Sequence, residues 1–400
     1  MASSDTIIYE NLRSTKSFWA CLAVSILVIG VGLLASHHME ASGHWVTGMN
    51  NQVVWGMPHV FAVFLIVAAS GSLNTASIAS VFGQKSYKPL SRISGLLAIS
   101  LLIGGLTVLV LDLGRPDRLI IAMTYYNFKS IFAWNIFLYT GFIFVVAIYL
   151  WMMFESRMNK FIKSAGTIAF GWRLILTTGT GSIFGFLVAR EAFDSAVLVP
   201  LFIIMSLSFG TALTILICML VFKLNSDIID PQLLSRLRRL LAYFIVIVMH
   251  LVVVDHLTKL YVTGHHKLEF FLLVEGGIFP ILFWAGQMLI GSVIPLILLF
   301  SNRFNQNRYL ITASFLVIVG AFSQLYVLII GGQAFPLDIF PGYTERSSFF
   351  DGVVGEYSPS LAEFALGFGG FGLALAIILI GSRVLPFLPR RKIDKSIPNS

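Results

Sequence analysis

Charge set against hydrocarbon is the first place to look for chemistry in this chain. The stretch Asp112-Leu113-Gly114-Arg115-Pro116-Asp117-Arg118 puts four charged residues directly after the apolar run Ile93–Leu111. Pro116 cannot donate to a helical ladder and restrains the residue before it, so a helix is predicted to stop here. Charge at such a depth is costly unless paired or wetted, and it marks a site by default. Asp112 and Arg115 form the expected pair, with Arg115 keeping Asp112 ionised. Asp117 and Arg118 belong to the loop or to a docking surface. His59 follows Pro58 one helical turn after Trp55, on the same predicted face. An imidazole there can hydrogen-bond a carbonyl or exchange a proton near working pH.

Further polar groups cluster at the ends of other apolar runs. Arg190-Glu191 and Asp194 close one run, with Glu191 read as extending a proton relay from Asp112. His250, Asp255, His256 and Lys259 line another, with Asp255 and Lys259 at i,i+4 spacing. Tyr125, beside Tyr126, can offer a phenolic hydrogen bond; Glu269 and His265-His266 read as loop residues. A lipid-soluble quinone needs a hydrogen bond at each carbonyl and moves two protons with two electrons. His59, Asp112, Tyr125, Asp255 and His256 are therefore the candidate ligand contacts, and Asp112, Arg115 and Glu191 the candidate proton-handling groups.

The elements that must hold these residues are membrane helices. The 400 residues are 57% hydrophobic and only 12% charged, which excludes an ordinary soluble domain. Hydrophobic periodicity and run length predict about ten spans. They cover Phe18–Ala35, Gly56–Phe82, Ser91–Leu111, Ser130–Phe154, Thr167–Ala189, Ala196–Phe222, Leu240–Val262, Phe271–Phe300, Tyr309–Ile330 and Leu361–Leu385. With the N-terminus in the cytoplasm, only seven of the 27 Lys and Arg residues (Arg115, Arg118, Lys129, Arg190, Lys259, Lys267 and Arg346) fall outside. This positive-inside bias predicts both termini cytoplasmic in a cell inner membrane and the Asp112 loop on the outer face. The net charge of +8 is thus an orientation signal and not a nucleic-acid patch. Polar membrane residues concentrate on the outer side, with Arg173 the main exception inward, which favours a lateral pocket near one leaflet over a midplane transport site.

The predicted fold is all-α, with two parallel-repeat four-helix bundles at 56–189 and 196–330. A cytoplasmic N-terminus at 1–17 and a first flanking helix at 18–35 precede them. An outer loop at 331–360, a last flanking helix at 361–385 and a basic tail at 386–400 follow. Arg92 against Arg236 and Asp112 against Asp255 suggest the repeat. The first helix reads as uncleaved, because no small-residue cleavage site follows it. His37 to Trp55, with three histidines and no Lys or Arg, and Gly332 to Ser360, rich in Pro, Gly and aromatics, read as outer docking loops. Cys21 and Cys218 lie in apolar runs with no ligand spacing, so no iron–sulfur or metal site is expected.

Leu111-Asp112-Leu113-Gly114-Arg115-Pro116 after the third span, Pro58 and Gly71 in the second, and Gly331-Gly332-Gln333-Ala334-Phe335-Pro336 after the ninth resemble the NrfD/PsrC family. Length and span count are similar to its longer ten-helix branch, which holds DsrP-like and alternative complex III membrane subunits. The resemblance implies a quinone-interacting membrane subunit of a respiratory oxidoreductase complex, tied to sulfur metabolism in some members, without haem or cluster of its own. It implies electron exchange between menaquinone or ubiquinone and a ferredoxin-like iron–sulfur partner on the outer face, with linked proton transfer. A cytochrome and further membrane subunits are additional partner candidates. Asp112 and Arg115 match the family string, whereas His59, Glu191 and Asp255 are placed by depth and side. A secondary transporter, a purely structural anchor, and a b-haem anchor using His59 with His250 or His256 remain as alternatives.

Overall fold

A computed structural model describes residues 7–304, 306–337 and 352–390. Arg346, with the rest of 338–351 in the expected outer loop 331–360, and the tail from Arg391 lie outside the described residues. Ten long helices account for most of the rest: α1 (Lys16–Ser42), α2 (Met57–Ser80), α3 (Ser91–Leu111), α4 (Ile131–Phe154), α5 (Ile162–Gly185), α6 (Leu198–Asn225), α7 (Pro231–Tyr261), α8 (Ile278–Phe300), α9 (Asn307–Ala334) and α10 (Leu361–Val384). Among the described residues nine are long and apolar enough to cross a membrane. The tenth, α5, is as long but carries Lys163 and Arg173 among glycines and threonines. The chain is an all-α integral membrane protein.

Two boundaries differ from expectation. Thr15 caps α1, and nothing breaks the helix until Gly43 at φ +87°, so His37, His38 and Glu40 ride on its last turns and not in a loop. At the other end α9 continues through a widened π-type turn over Val327–Gly331 and keeps Gly331 to Ala334 helical and buried. The glycines there do not stop the helix. They serve instead for close packing, since a Cβ at Gly332 would collide with Phe193 and Ala192.

Helix α2 is the hub and is buried along almost its whole length. It packs against α3, α6, α9 and α10. Helices α2 to α5 pack around one another, as do α6 to α9, and the two groups meet where α2 crosses α6. That crossing is backbone on backbone. A Cβ on Gly71 would run into the carbonyl oxygen of Ser206, and one on Gly210 into the carbonyl carbon of Gly71. Small residues at such a point let dispersion and carbonyl contacts replace the hydrophobic drive that lipid does not supply. Helices α1 and α10 form a separate pair closed on Gly32 and Gly369. Two short strands, β1 (Tyr9–Glu10) and β2 (Leu388–Pro389), pair antiparallel and bring the two described ends to the same side of the bundle.

The α2–α6 crossing should be intolerant of any side chain. Gly71→Leu is expected to cost at least about 3 kcal/mol, the upper end for overpacking because the obstacle is backbone. Loss of the folded species on thermal denaturation in detergent, relative to Gly30→Leu on the open face of α1, checks it.

Candidate functional site

The site is assembled where α2 begins and α3 ends. Pro58 occupies the first turn of α2, where its missing N–H costs nothing, and His59 follows. Asp112 is the C-terminal cap of α3, its N–H donating to the carbonyl of Val108 at 3.0 Å. A helix carbonyl end is a poor place for a carboxylate, and this one is only 6% exposed. Nδ1 of His59 lies 2.9 Å from Oδ2 of Asp112. The approach is close but not aligned as a hydrogen bond, so both Asp112 oxygens and His59 Nδ1 keep unfilled bonding capacity. Sequence reasoning places these two residues independently, and the fold brings them together.

Neighbouring segments lock the pair from behind. The backbone carbonyls that end α3 are taken by Ser36 Oγ on Leu111 (3.2 Å) and by His44 Nε2 on Asp112 (3.0 Å). Trp55 stacks on the His59 ring with centroids 6.2 Å apart and meets Phe132, Phe184 and Phe193 on its other edges. This aromatic wall leaves the His59 side chain 22% exposed against 1% for Asp112, so the imidazole is the member of the pair that an incoming ligand can reach.

The wall is itself clamped. Gln333 Oε1 accepts the N–H groups of Val54 and Trp55, and its Nε2 donates to the Trp55 carbonyl. Arg190 donates to the carbonyls of Gln333 and Gln52. Glu363, fully buried, accepts from the N–H groups of Gly48 and Ser360 and from the Tyr357 hydroxyl. The Tyr357 oxygen in turn accepts the Met57 N–H that opens α2. Burial, reinforced by the Glu363 carboxylate, pushes the Tyr357 phenol above its usual range, so it stays a donor. Sequence reasoning singles out none of Gln333, Glu363 and His44 as a contributor. For Glu363 a signal exists, since Ser360-x-x-Glu363 is a capping-box spacing before an apolar run.

Other expected members stand elsewhere. Arg115 does not reach Asp112. It makes a two-point contact with Asp117 (3.0 and 2.8 Å) on an exposed turn, because Gly114 and Pro116 carry the backbone outward. That contact holds the Asp117 carboxyl below its usual range. Tyr125 is 82% exposed between α3 and α4, away from the pair. Glu191 stands 3.6 Å from His265, and among the described residues no hydrogen bond or ion pair joins it to Asp112 or Arg190. Arg190 has turned to backbone carbonyls instead.

Asp255 and His256 form a second cluster, on α7. Asp255 pairs with Lys259 at 2.9 Å and accepts from Ser195, while Lys259 also donates to the carbonyl of Ala192. His256 meets Glu269 at 2.6 Å. Glu269, expected from sequence in a loop, is fully buried, because the short helix His266–Phe270 tucks it against α7. A cavity of about 40 Å³ touches Asp255, His256, Lys259, Gln287 and Gln324, room for water but not for a ring system. His250 is on the exposed side of α7. The part of the protein away from the His59 end is also more polar than expected: Asn74, Tyr149 and Asn225 are buried there, with Arg173 between them and the pair.

Fold and site together define a polytopic membrane protein with a buried His–carboxylate pair, walled by tryptophan, at one end of its central helix. The family description "Polysulphide reductase, NrfD" matches residues 45–337, and the protein belongs to that family. It is 29% identical over 358 residues, covering 88% of this sequence and 89% of the relative, to the Hdr-like menaquinol oxidoreductase integral membrane subunit of Archaeoglobus fulgidus. It is 22% identical over 404 residues (90% and 92%) to a subunit of the selenate reductase of Mesobacillus selenatarsenatis. The integral membrane subunit of menaquinone reductase from Nitratidesulfovibrio vulgaris is 20% identical over 402 residues, covering 94% of this sequence and 93% of that protein.

The clamp makes a stability prediction. Glu363→Ala strands the Tyr357 hydroxyl and two backbone N–H groups, and is expected to cost about 3 kcal/mol. Faster proteolysis between His44 and Trp55, with a lowered melting temperature, is the expected readout.

Proposed function

We propose that the protein is the quinone-reactive membrane subunit of a respiratory oxidoreductase complex, working at the His59–Asp112 pair. The observation that carries this reading is that buried pair, close in space yet unsatisfied, at the accessible end of the central helix. It is supported by family membership and by relatives whose names include a menaquinol oxidoreductase and a menaquinone reductase. Menaquinone or ubiquinone is the substrate. Its proton and electron accounting follows from its chemistry: oxidising a quinol releases two protons and two electrons. The protein supplies the proton side. With Nδ1 facing Asp112, the other ring nitrogen of His59 is the group that meets a quinol hydroxyl or quinone oxygen. A proton taken there is balanced by the carboxylate behind the ring, whose placement at a helix carbonyl end makes a cationic neighbour welcome. Trp55 offers the quinone ring a flat apolar face.

The electrons pass to or from an iron–sulfur partner of ferredoxin type docked on the same, outer side, with a cytochrome and further membrane subunits as other members of the assembly. Both termini lie in the cytoplasm of a cell whose inner membrane holds the complex, a placement supported by the distribution of Lys and Arg. The helices α2 to α5 form the quinone-handling unit, and α6 to α9 a second unit whose buried pair Asp255–Lys259 reaches Ser195 and Ala192 in the connection between the two. Haem plays no part in this reading.

In the purified complex, Asp112→Asn and His59→Ala are each expected to lower quinol-linked turnover at least about a hundredfold while the subunits still co-purify. Arg115→Ala, which touches only the exposed turn, should stay within about threefold of wild type, as a weak surface pair implies. Normal turnover in Asp112→Asn would sink the assignment.

A further inference from the structure

Arg173 is left without a task by the proposed chemistry. It sits midway along α5, only 3% exposed, and among the described residues no carboxylate lies within ion-pair distance of it. Nη1 donates to the Ser70 carbonyl at 3.3 Å and Nη2 to Asn74 Oδ1 at 3.1 Å. The guanidinium lies 5.0 Å from the Phe170 ring centroid, and among the described residues Nε has no partner. A guanidinium keeps its proton, so this is a fixed positive charge in the membrane interior with only dipoles around it. Such a placement is expensive and calls for a function.

What surrounds Arg173 shows which function. Hydroxyl pairs stand above and below it inside the α2–α5 group. Toward the His59 end, Tyr139 meets Thr180 at 3.3 Å and Ser70 meets Thr177 at 2.6 Å. Toward the opposite end, Tyr149 meets Ser80 at 2.6 Å, beside Gly166. From Thr180 down to Gly166 is about 20 Å of helix, most of a hydrocarbon core of about 30 Å. Hydroxyls both donate and accept, so pairs stacked in this way become a proton wire once water joins them into a file. Arg173 stands in the middle of that file.

We propose that Arg173 is an electrostatic plug: its charge repels an excess proton from the middle of the file and keeps the α2–α5 group proton-tight. Protons exchanged at His59–Asp112 are then confined to the side of the membrane on which that pair lies. The plug stands on its own geometry, and only its benefit to energy conversion rests on the quinone reading. An irregular turn of α2 explains why arginine is tolerated here. The hydrogen-bond ladder loosens at Leu73 while the backbone stays helical, and the carbonyl that receives Nη1 belongs to Ser70, one turn earlier. A merely structural arginine capping that turn would leave proton permeability unchanged when replaced.

The full-length protein in phosphatidylcholine liposomes, with a trapped pH dye and valinomycin to clamp the potential, provides the test without any quinone. After an external acid pulse, wild type and Arg173→Lys should acidify the lumen equally slowly. Arg173→Gln should do so at least about tenfold faster, the least that removing a unit charge a few ångströms from the path should give. Asn74→Asp neutralises the plug without removing it and adds an ion-pair partner, so the protein should fold and should leak likewise. Tight liposomes with Asn74→Asp, or a leak with Arg173→Lys equal to that of Arg173→Gln, would overturn the proposal. Either failure leaves turnover at His59–Asp112 untouched, so the two readings stand or fall separately.

Discussion

The backbone contact between Gly71 and Gly210 is the constraint from which the rest of the architecture follows. With no side chain on either helix at the crossing, α2 and α6 meet backbone to backbone, and each packs in addition against neighbours of its own group. Lipid gives no hydrophobic reward for bringing helices together, so close van der Waals contact has to supply it. Once α2 is enclosed, its side chains reach the protein's exterior from its two ends, and His59 occupies the first of them. The depth of the site is therefore a consequence of where the two central helices touch.

Much of this is legible in the sequence, and for identifiable reasons. Membrane helices announce themselves because the bilayer demands long apolar runs, and Asp112 announces itself because charge at their ends is rare. His59 is placed in sequence by depth and side alone, and in the fold its Nδ1 stands 2.9 Å from Asp112. Arg115 is misplaced by sequence because adjacency says nothing about direction: the turn at Gly114 and Pro116 sends it away from the residue three positions earlier and toward the one two positions later. Glu269 is misread because a five-residue helix is too short to leave a periodic signal, although it buries a carboxylate completely. The length of α1 is underestimated because two histidines and a glutamate resemble a loop, when nothing in them stops a helix before Gly43.

Long-range hydrogen bonds are the least visible part. Gln333 lies in a string that resembles the family, yet nothing in its neighbourhood reveals that it grips Val54 and Trp55 some 280 positions away. Side-chain amides bonding to backbone carry no periodicity, and their partners are set only after the chain has folded. The same is true of the hydroxyl pairs in the interior, which a hydropathy reading counts as neutral. The polar architecture of a membrane protein is therefore largely hidden from composition, even when its helices are plain.

The pairing of β1 with β2 bears on the order in which the molecule can be built. Tyr9 and Glu10 leave the ribosome before any span, and their partners Leu388 and Pro389 follow the last one. The first helix likewise has to wait for α10, on which its small-residue face is closed. Until then one flank of α2, including the Phe61 edge that meets Phe364, Phe368 and Phe371, lacks the helix that covers it in the finished fold. The central helix is thus sealed from lipid only once α10 has been made.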